Sequence, residues 1–202
     1  MQLKLDSPKL LSDIVSIISE LVNEVRLRIN KDGLSLTAID PANVAMVHFR
    51  IPNDLFSQFE LEKEEILGIN LENLKAVLRR CHLGSSLIIG KEENMLKLII
   101  QDKVKRDFSL ALIDIDSEEK PMPAWEFKSV IKMDSGVFAE VIEDCLIVSD
   151  ACTFIAEPSR FIVEASGLNS ARVEFSSDEI EIYSDSGTAR FSLEYLNKFI
   201  KG

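Results

Sequence analysis

The chain has 202 residues, 46% of them hydrophobic, and a net charge of −11 at pH 7. It can therefore bury a sizeable core, and its charge excludes a simple basic protein that binds nucleic acid by neutralising phosphates. Three cysteines at no metal-binding spacing, together with the lack of a leader-like start or a membrane-length apolar run, predict a soluble intracellular protein without disulfides or membrane contact.

The first residues predict a strand at 2–6 and then a helix. Ser7 and Pro8 predict an N-cap followed by proline at the first helical position, and the helix is expected to run to about Leu21. Lys9 falls on its exposed face. Its predicted buried stripe consists of Leu10, Leu11, Ile14, Ile17, Ile18 and Leu21.

Alternating apolar residues then predict strands at 25–29 and 34–38, joined by a tight turn at 31–33, with further strands at 43–52 and 57–62. The segment LENLKAVLRR at 71–80 has the spacing of an amphipathic helix. Its exposed face is predicted to carry Glu72, Lys75 and Arg79. Strands at 86–90, 95–101 and 106–112 complete a meander.

The alternation of apolar residues stops at residues 113–126, IDIDSEEKPMPAWE. This acidic, proline-containing stretch predicts an extended linker at 114–126. A second unit follows, with a strand at 128–133 and a helix at 134–148. The predicted buried stripe of this helix consists of Phe138, Val141, Ile142, Cys145 and Leu146. The remaining predicted strands of this unit are at 151–156, 161–165, 171–175, 180–183 and 188–191.

The segment LEYLNKFIKG at 193–202 repeats the helix pattern of 71–80. A two-copy chain predicts an α+β fold with two repeated domains of antiparallel strands and two helices each, at 1–113 and 127–202, joined by the linker at 114–126. A meander follows the first copy, and the sequence ends with the second copy. We therefore expect the second domain to lack its C-terminal strands.

Candidate chemistry is sparse. The sequence has no phosphate-binding glycine loop, no nucleophile and base set, and no metal-ligand spacing, which predicts no enzyme, no cofactor and no metal site. His48 lies in a strand pattern, where a structural role is the more frequent one. The cations around Arg79, Arg80 and His82 fit either ordinary helix solubilisation or phosphate contact, and the residues alone leave both open.

Several motifs in order resemble the archaeal and eukaryotic sliding clamp family, proliferating cell nuclear antigen. They are DGL at 32–34, DPANVAM at 40–46, GINLENLKAVLRR at 68–80, LALIDID at 110–116 and FSLEYL at 191–196. The resemblance implies two clamp domains per chain and three chains that close a ring around duplex DNA, in the cytoplasm or nucleoid, or in the nucleus of a eukaryote. Implied partners are DNA polymerase, flap endonuclease, DNA ligase and the clamp loader.

The resemblance also implies three sets of site residues. A groove for short partner peptides would consist of Ile39, Asp40, Val44, Met46, Pro121, Met122 and Pro123. DNA-facing cations would be Lys9, Lys75, Arg79, Lys198 and Lys201. The subunit interface would pair the strand at 106–112 with the strand at 171–175, and would contain Arg80, His82, Arg106, Phe108, Leu110, Glu140, Glu143, Asp144, Val173 and Phe175.

Two assemblies fit the resemblance. A homotrimer is expected, and a heterotrimer of different paralogues is possible. The alternative function is an interaction module of clamp fold, for example a checkpoint-type subunit, that does not encircle DNA by itself.

Overall fold

A computed structural model describes residues 1–115 and 122–201, which divide into two compact units between Met122 and Pro123. Unit 1 contains β1 (Gln2–Leu5), α1 (Lys9–Ile18), β2 (Glu24–Asn30), β3 (Gly33–Ile39), β4 (Met46–Pro52), a 3-10 turn (Asn53–Leu55), β5 (Gln58–Glu60), β6 (Glu65–Asn70), α2 (Leu71–Leu78), β7 (Ser86–Glu92), β8 (Met95–Gln101) and β9 (Lys105–Ala111). Unit 2 contains β10 (Ser129–Lys132), α3 (Ser135–Leu146), β11 (Ala151–Glu157), β12 (Arg160–Ser166), β13 (Ser170–Ser176), β14 (Glu181–Ser184), β15 (Gly187–Ser192) and α4 (Leu193–Ile200).

Each unit contains two antiparallel sheets and two helices. Unit 1 has the strand orders β5-β1-β7-β8-β9 and β4-β3-β2-β6, and unit 2 has β13-β12-β11-β15 and β10-β14. The four-stranded sheets correspond strand for strand, and α2 and α4 follow the equivalent strands β6 and β15. The predicted α+β class with two repeated clamp domains is thereby confirmed. The predicted linker at 114–126 contains the boundary between the units, and its residues 116–121 lie outside the described residues.

The core of each unit lies between its helices and its sheets. In unit 1, Leu11, Val15 and Ile18 of α1 are buried, and α2 contributes Leu71, Leu74, Val77 and Leu78. In unit 2, Val141, Ile142 and Cys145 of α3 pack with buried residues of β11, β12 and α4. Cys81, Cys145 and Cys152 are all free thiols.

The start and the buried face of α1 differ from the prediction. Pro8 occupies the N-cap position and no side chain caps the helix, so the predicted Ser7 cap is wrong. Leu10 is 52% exposed, whereas Val15 is buried, because the helix presents the row of Leu11, Val15 and Ile18 to the sheet. In α3 the predicted core residue Leu146 is likewise exposed.

The predicted turn at 31–33 is present, and the tertiary structure leaves room only for glycine at position 33. Its φ is +135°, a conformation that side-chain-bearing residues rarely adopt. A Cβ atom there would lie 2.1 Å from the carbonyl oxygen of Ile51. Gly33 therefore permits both the turn and the close pairing of β3 with β4.

Candidate functional site

Asp40 organises the loop between β3 and β4. Its carboxylate accepts backbone N–H groups from Ala42 at 3.0 Å, Val44 at 2.7 Å and Ala45 at 2.7 Å. The backbone N–H of Asp40 donates to the carbonyl of Ala45 at 3.0 Å, and Asn43 takes a φ of 56°. A buried carboxylate with three donors fixes the path of an otherwise exposed loop, because the ionised form accepts strong hydrogen bonds.

This loop presents apolar side chains. Val44 is 64% exposed. Ile39 and Met46, both half-buried, are directly paired across β3 and β4 at the base of the loop. Met122, at the end of unit 1, is 54% exposed, and Pro123 is the exposed first residue of unit 2. Pro121 lies outside the described residues.

Lys75 requires a correction. The helical pattern placed it on the exposed face of α2, but it is only 7% exposed. Its Nζ donates to Ser19 Oγ at 2.7 Å and lies 3.5 Å from Glu20 and 3.6 Å from Glu72. The ammonium group is therefore held against the turn after α1, and Lys75 no longer belongs in the set of free DNA-facing cations.

The other predicted DNA-facing cations are accessible to different degrees. Lys9, Arg79 and Lys201 are exposed. Lys9 forms an ion pair with Asp13 one helical turn away. Lys198 forms an ion pair with Glu194 at 3.1 Å and lies over the ring of Tyr195, so its side chain is only 28% exposed.

Asp102 connects the loop after α2 to the edge strand β9, a role that the sequence analysis missed. It accepts hydrogen bonds from the Arg106 guanidinium, from Ser85 Oγ at 3.1 Å and from the backbone N–H of Val104 at 2.9 Å. The Val104 and Arg106 hydrogen bonds lower the pKa of Asp102 to about 2.

Arg106 and Ser85 extend this network along the loop. Arg106 also donates to the carbonyl of Arg80 at 2.9 Å, and the backbone N–H of His82 donates to Ser85 Oγ at 2.9 Å. Ser85 is only 1% exposed. The only sequence signal for the network was the opposite charge of Asp102 and Arg106 in a short turn region.

Each unit has a sheet that ends in an edge strand. Among the described residues, β9 pairs only with β8, and β13 pairs only with β12. The side chains of Phe108 and Leu110 are half-buried opposite Leu98 and Leu96 of β8.

The edge strand of unit 2 also turns its predicted interface side chains inward. Val173 and Phe175 pack against the core of unit 2. These half-buried side chains pack within their own units, and their role at an interface between chains stays a prediction.

The exposed face of α3 is acidic. Glu140, Glu143 and Asp144 are all exposed, and none of them forms an ion pair within the described part of the chain. In the loop after α2, Arg80 and His82 are exposed. Unit 1 therefore carries the Arg80 cation and an imidazole beside its edge strand, and unit 2 carries anions on the helix that packs near β13.

Neither a metal-ligand cluster nor a membrane-spanning helix is found in the described residues. No group of three or more His, Cys, Asp and Glu residues there is placed to hold a metal ion. Within the same residues, no helix has both the length and the apolar character needed to cross a membrane.

Comparison with known proteins decides the family. Residues 1–120 match the N-terminal domain of proliferating cell nuclear antigen. This chain belongs to the proliferating cell nuclear antigen family. The DNA polymerase sliding clamp of Thermococcus onnurineus is 31% identical over 204 residues, which cover 98% of this chain and 82% of the relative. The sliding clamp of Pyrococcus furiosus is 30% identical over 205 residues, with the same coverage.

Solved structures of family members agree. A chain of the PCNA2-PCNA3 complex from Sulfolobus tokodaii superposes with a TM-score of 0.89 at 27% identity, covering all of this chain and 84% of that chain. The proliferating cell nuclear antigen of Thermococcus kodakaraensis has a TM-score of 0.93 at 22% identity. The family resemblance predicted from the motifs is thus confirmed, and the chain is a sliding clamp.

Proposed function

We propose that this sliding clamp closes with two further chains into a ring around duplex DNA and tethers DNA polymerase and other replication or repair proteins to it. It acts wherever the cell keeps its DNA, and it has no active site of its own. The observation that carries the proposal is the pair of edge strands, β9 in unit 1 and β13 in unit 2. Two different edges on one chain permit head-to-tail association, which generates a closed ring when the rotation between chains is right.

Charge supports this pairing of edges. The edge of unit 1 is accompanied by Arg80 and His82, whereas unit 2 offers the exposed acids Glu140, Glu143 and Asp144. Complementary charges steer association and fix which edges meet, although each exposed pair contributes only about 0–1 kcal/mol. Arg106 acts indirectly in this proposal, because its guanidinium holds the loop of Arg80 and His82 in place.

DNA is held mainly by encirclement. A net charge of −11 opposes tight phosphate binding, and the accessible cations on the helices are few: Lys9, Arg79 and Lys201. Partner proteins bind through short peptides whose apolar side chains contact Val44, Met46 and Met122.

The proposal also states how many chains form the ring and whether they are identical. Three identical chains are the simplest closed arrangement. The Sulfolobus tokodaii structure is a complex of two differently named clamp proteins. A ring of different paralogues is therefore the second arrangement that we propose. An interaction module that does not encircle DNA is the alternative function.

Retention on DNA tests the proposal. The clamp is loaded with its clamp loader onto a nicked circular plasmid, and the complex is isolated by gel filtration. We expect the clamp to stay with the circle and to leave when a restriction enzyme linearises the plasmid, because a ring slides off an open end. Equal retention on circular and linear DNA would show direct phosphate binding, and no retention on either would favour the interaction module.

A further inference from the structure

The first strand of each unit has the same place in the fold but different neighbours. β1 and β10 each precede the first helix of their unit, and the sequence LKLDS at 3–7 corresponds to IKMDS at 131–135. β1 pairs with β5 on one edge and with β7 on the other. β10 pairs with β14, the counterpart of β5, and its other edge has no partner strand among residues 1–115 and 122–201. The backbone N–H and C=O groups along that edge are therefore open to a further strand.

The helices of unit 2 are also covered less completely than those of unit 1. In unit 1 the strands β7, β8 and β9 extend the sheet beyond β1, and α2 lies close to β9. The repeated helices α2 and α4 have Val77 and Phe199 at corresponding positions, yet Val77 is 6% exposed and Phe199 is 43% exposed. At the next position Leu78 is buried, whereas Ile200 is only half-buried. Ile131 of β10 and Ile200 pack against the same core, so this partly uncovered apolar surface adjoins the open edge of β10.

The internal repeat indicates the chemistry of a segment that fits this surface. β7 runs antiparallel to β1, with Ile89 opposite Leu3 and Leu87 opposite Leu5. All four side chains are buried, because alternate residues of a strand point to the same face of the sheet. In β10, Ile131 takes the place of Leu3 and is only half-buried. A strand beside β10 therefore needs an apolar residue at every second position, and further strands after it would extend the sheet towards α4.

A second copy of the chain does not supply such a strand. Its own β10 has an open edge, but the inward side chain of Ile131 already packs against the core of that copy. Its strands β7 and β8 lie inside the five-stranded sheet of unit 1. A separate polypeptide with free apolar side chains covers both the edge and the adjoining surface, and addition of an extended segment to a sheet edge is a recurring mode of peptide recognition.

We infer that β10 and the adjoining surface of α4 form an acceptor site for an antiparallel β-segment of a separate polypeptide. The segment pairs with the open edge of β10, directs every second side chain towards the core at Ile131, and continues into strands that cover Phe199. Backbone hydrogen bonds to β10 set the register, and burial of apolar surface supplies most of the affinity. This surface of unit 2 has no role in the proposed ring closure or tethering.

A peptide taken from the repeat of this chain tests the inference. The probe is a fluorescein-labelled peptide with the sequence of residues 86–111, which form β7, β8 and β9 in unit 1. The control peptide carries Leu87→Ser and Ile89→Ser, which keep its length and charge. Fluorescence anisotropy with the 202-residue chain should show binding of the probe, and at least about ten-fold weaker binding of the control, because two buried apolar side chains are lost. No binding of the probe, or equal binding of the two peptides, would overturn the inference.

Substitutions in the chain locate the contact. Phe199→Asp adds a charge to the surface that the added strands cover, and should weaken binding of the probe at least about ten-fold. Leu168→Asp, in the exposed turn between β12 and β13, is the matched control and should leave binding unchanged. Both residues are exposed in the free chain, so the circular dichroism of both variants should match that of the parent. Equal losses in the two variants, or no loss in Phe199→Asp, would refute the site.

Amide hydrogen exchange of the parent chain identifies the strand that receives the probe. The probe should slow exchange at those amides of Ser129–Lys132 that face the open edge, because new backbone hydrogen bonds form there, while β12 in the middle of its sheet stays unchanged. Binding without slower exchange in β10 would overturn the inference. Slow exchange in β10 without peptide, increasing with protein concentration, would show that a second copy occupies the edge and would overturn the assignment to a separate polypeptide. None of these measurements requires ring closure.

Discussion

The ammonium nitrogen of Lys75 lies 2.7 Å from the hydroxyl oxygen of Ser19, and this contact joins α2 to the turn that ends α1. Ser19 Oγ in turn donates to the carbonyl of Ser16 at 2.8 Å. Because Lys75 is only 7% exposed and donates to a hydroxyl group, its role is to hold the two helices together.

We predict that Lys75→Met lowers the free energy of unfolding of unit 1 by about 1–3 kcal/mol, because the methionine keeps the apolar stem but leaves Ser19 without its donor. Hydrogen exchange of the α1 and α2 amides under native conditions measures the effect. Arg79→Met, at the exposed C-cap of the same helix, is the control and should change the stability by no more than about 0.5 kcal/mol. Equal stability of the two variants would show that the contact between Lys75 and Ser19 does not stabilise the helix pair.

The acid sensitivity of the loop after α2 should depend on Asp102. Its pKa is lowered from 3.8 to about 2, first by the Val104 backbone hydrogen bond and then by Arg106. A lowered folded-state pKa means that ionised Asp102 stabilises the fold above its ordinary pKa, and that this contribution is lost as the pH falls from 3.8 to about 2.

We therefore expect the difference in melting temperature between the parent chain and Asp102→Asn to be present at neutral pH and to close across that acid window. Asp107→Asn, which removes the same charge from an exposed position on β9, serves as the control. A difference that is constant from neutral pH down to about 2 would contradict the role of the ionised carboxylate.

Asp40 should determine the shape of the loop between β3 and β4. Asp40→Ala removes the acceptor of three backbone N–H groups and should cost about 1–3 kcal/mol of stability. Capture of a clamp-binding peptide should weaken with it, since Val44 would lose its fixed position. Differential scanning calorimetry and peptide titration check both effects, with Asp54→Ala as an exposed acidic control; a variant that keeps parent stability would show that the loop forms without Asp40.

The apolar anchors of the peptide surface should be separable from assembly. Met46→Ala removes an anchor that contributes about 1–3 kcal/mol, and Met122→Asp adds a charge to a surface that must lose water on binding. Isothermal calorimetry with a clamp-binding peptide should show large losses in both variants, while sedimentation stays that of the parent. Unchanged affinity in both would leave these methionines with a packing role only.

Charge reversal on α3 should open the proposed ring. In Glu140→Lys/Asp144→Lys, two exposed acids become cations facing the Arg80 and His82 loop of a neighbouring chain, so like charges meet and association weakens. Sedimentation velocity at low and high salt should show smaller species in the variant, and in the parent at high salt. The double variant Asp178→Lys/Asp185→Lys has the same net charge change on other exposed positions and should assemble normally. A parent-like assembly in the α3 variant would refute the ion-pair interface.

The order and type of most helices and strands follow from local patterns in the sequence. The alternation that predicted strands at 151–156 and 161–165 corresponds to β11 and β12, and the repeated helix pattern corresponds to α2 and α4. These signals are local, because a strand or helix exposes one face at a fixed period wherever it lies in the chain. Gly33 was likewise predictable as a turn residue from its neighbours alone.

Which polar and aromatic side chains are free to act depends on contacts that form when the chain folds. Lys75 has the helical position of an exposed residue, yet a turn more than fifty positions away buries it. Arg106 is held by Asp102, Phe175 packs inward, and Trp125 remains outside every core. The availability of a side chain depends on partners that folding brings from distant segments, and a periodic pattern along one segment contains no information about those partners.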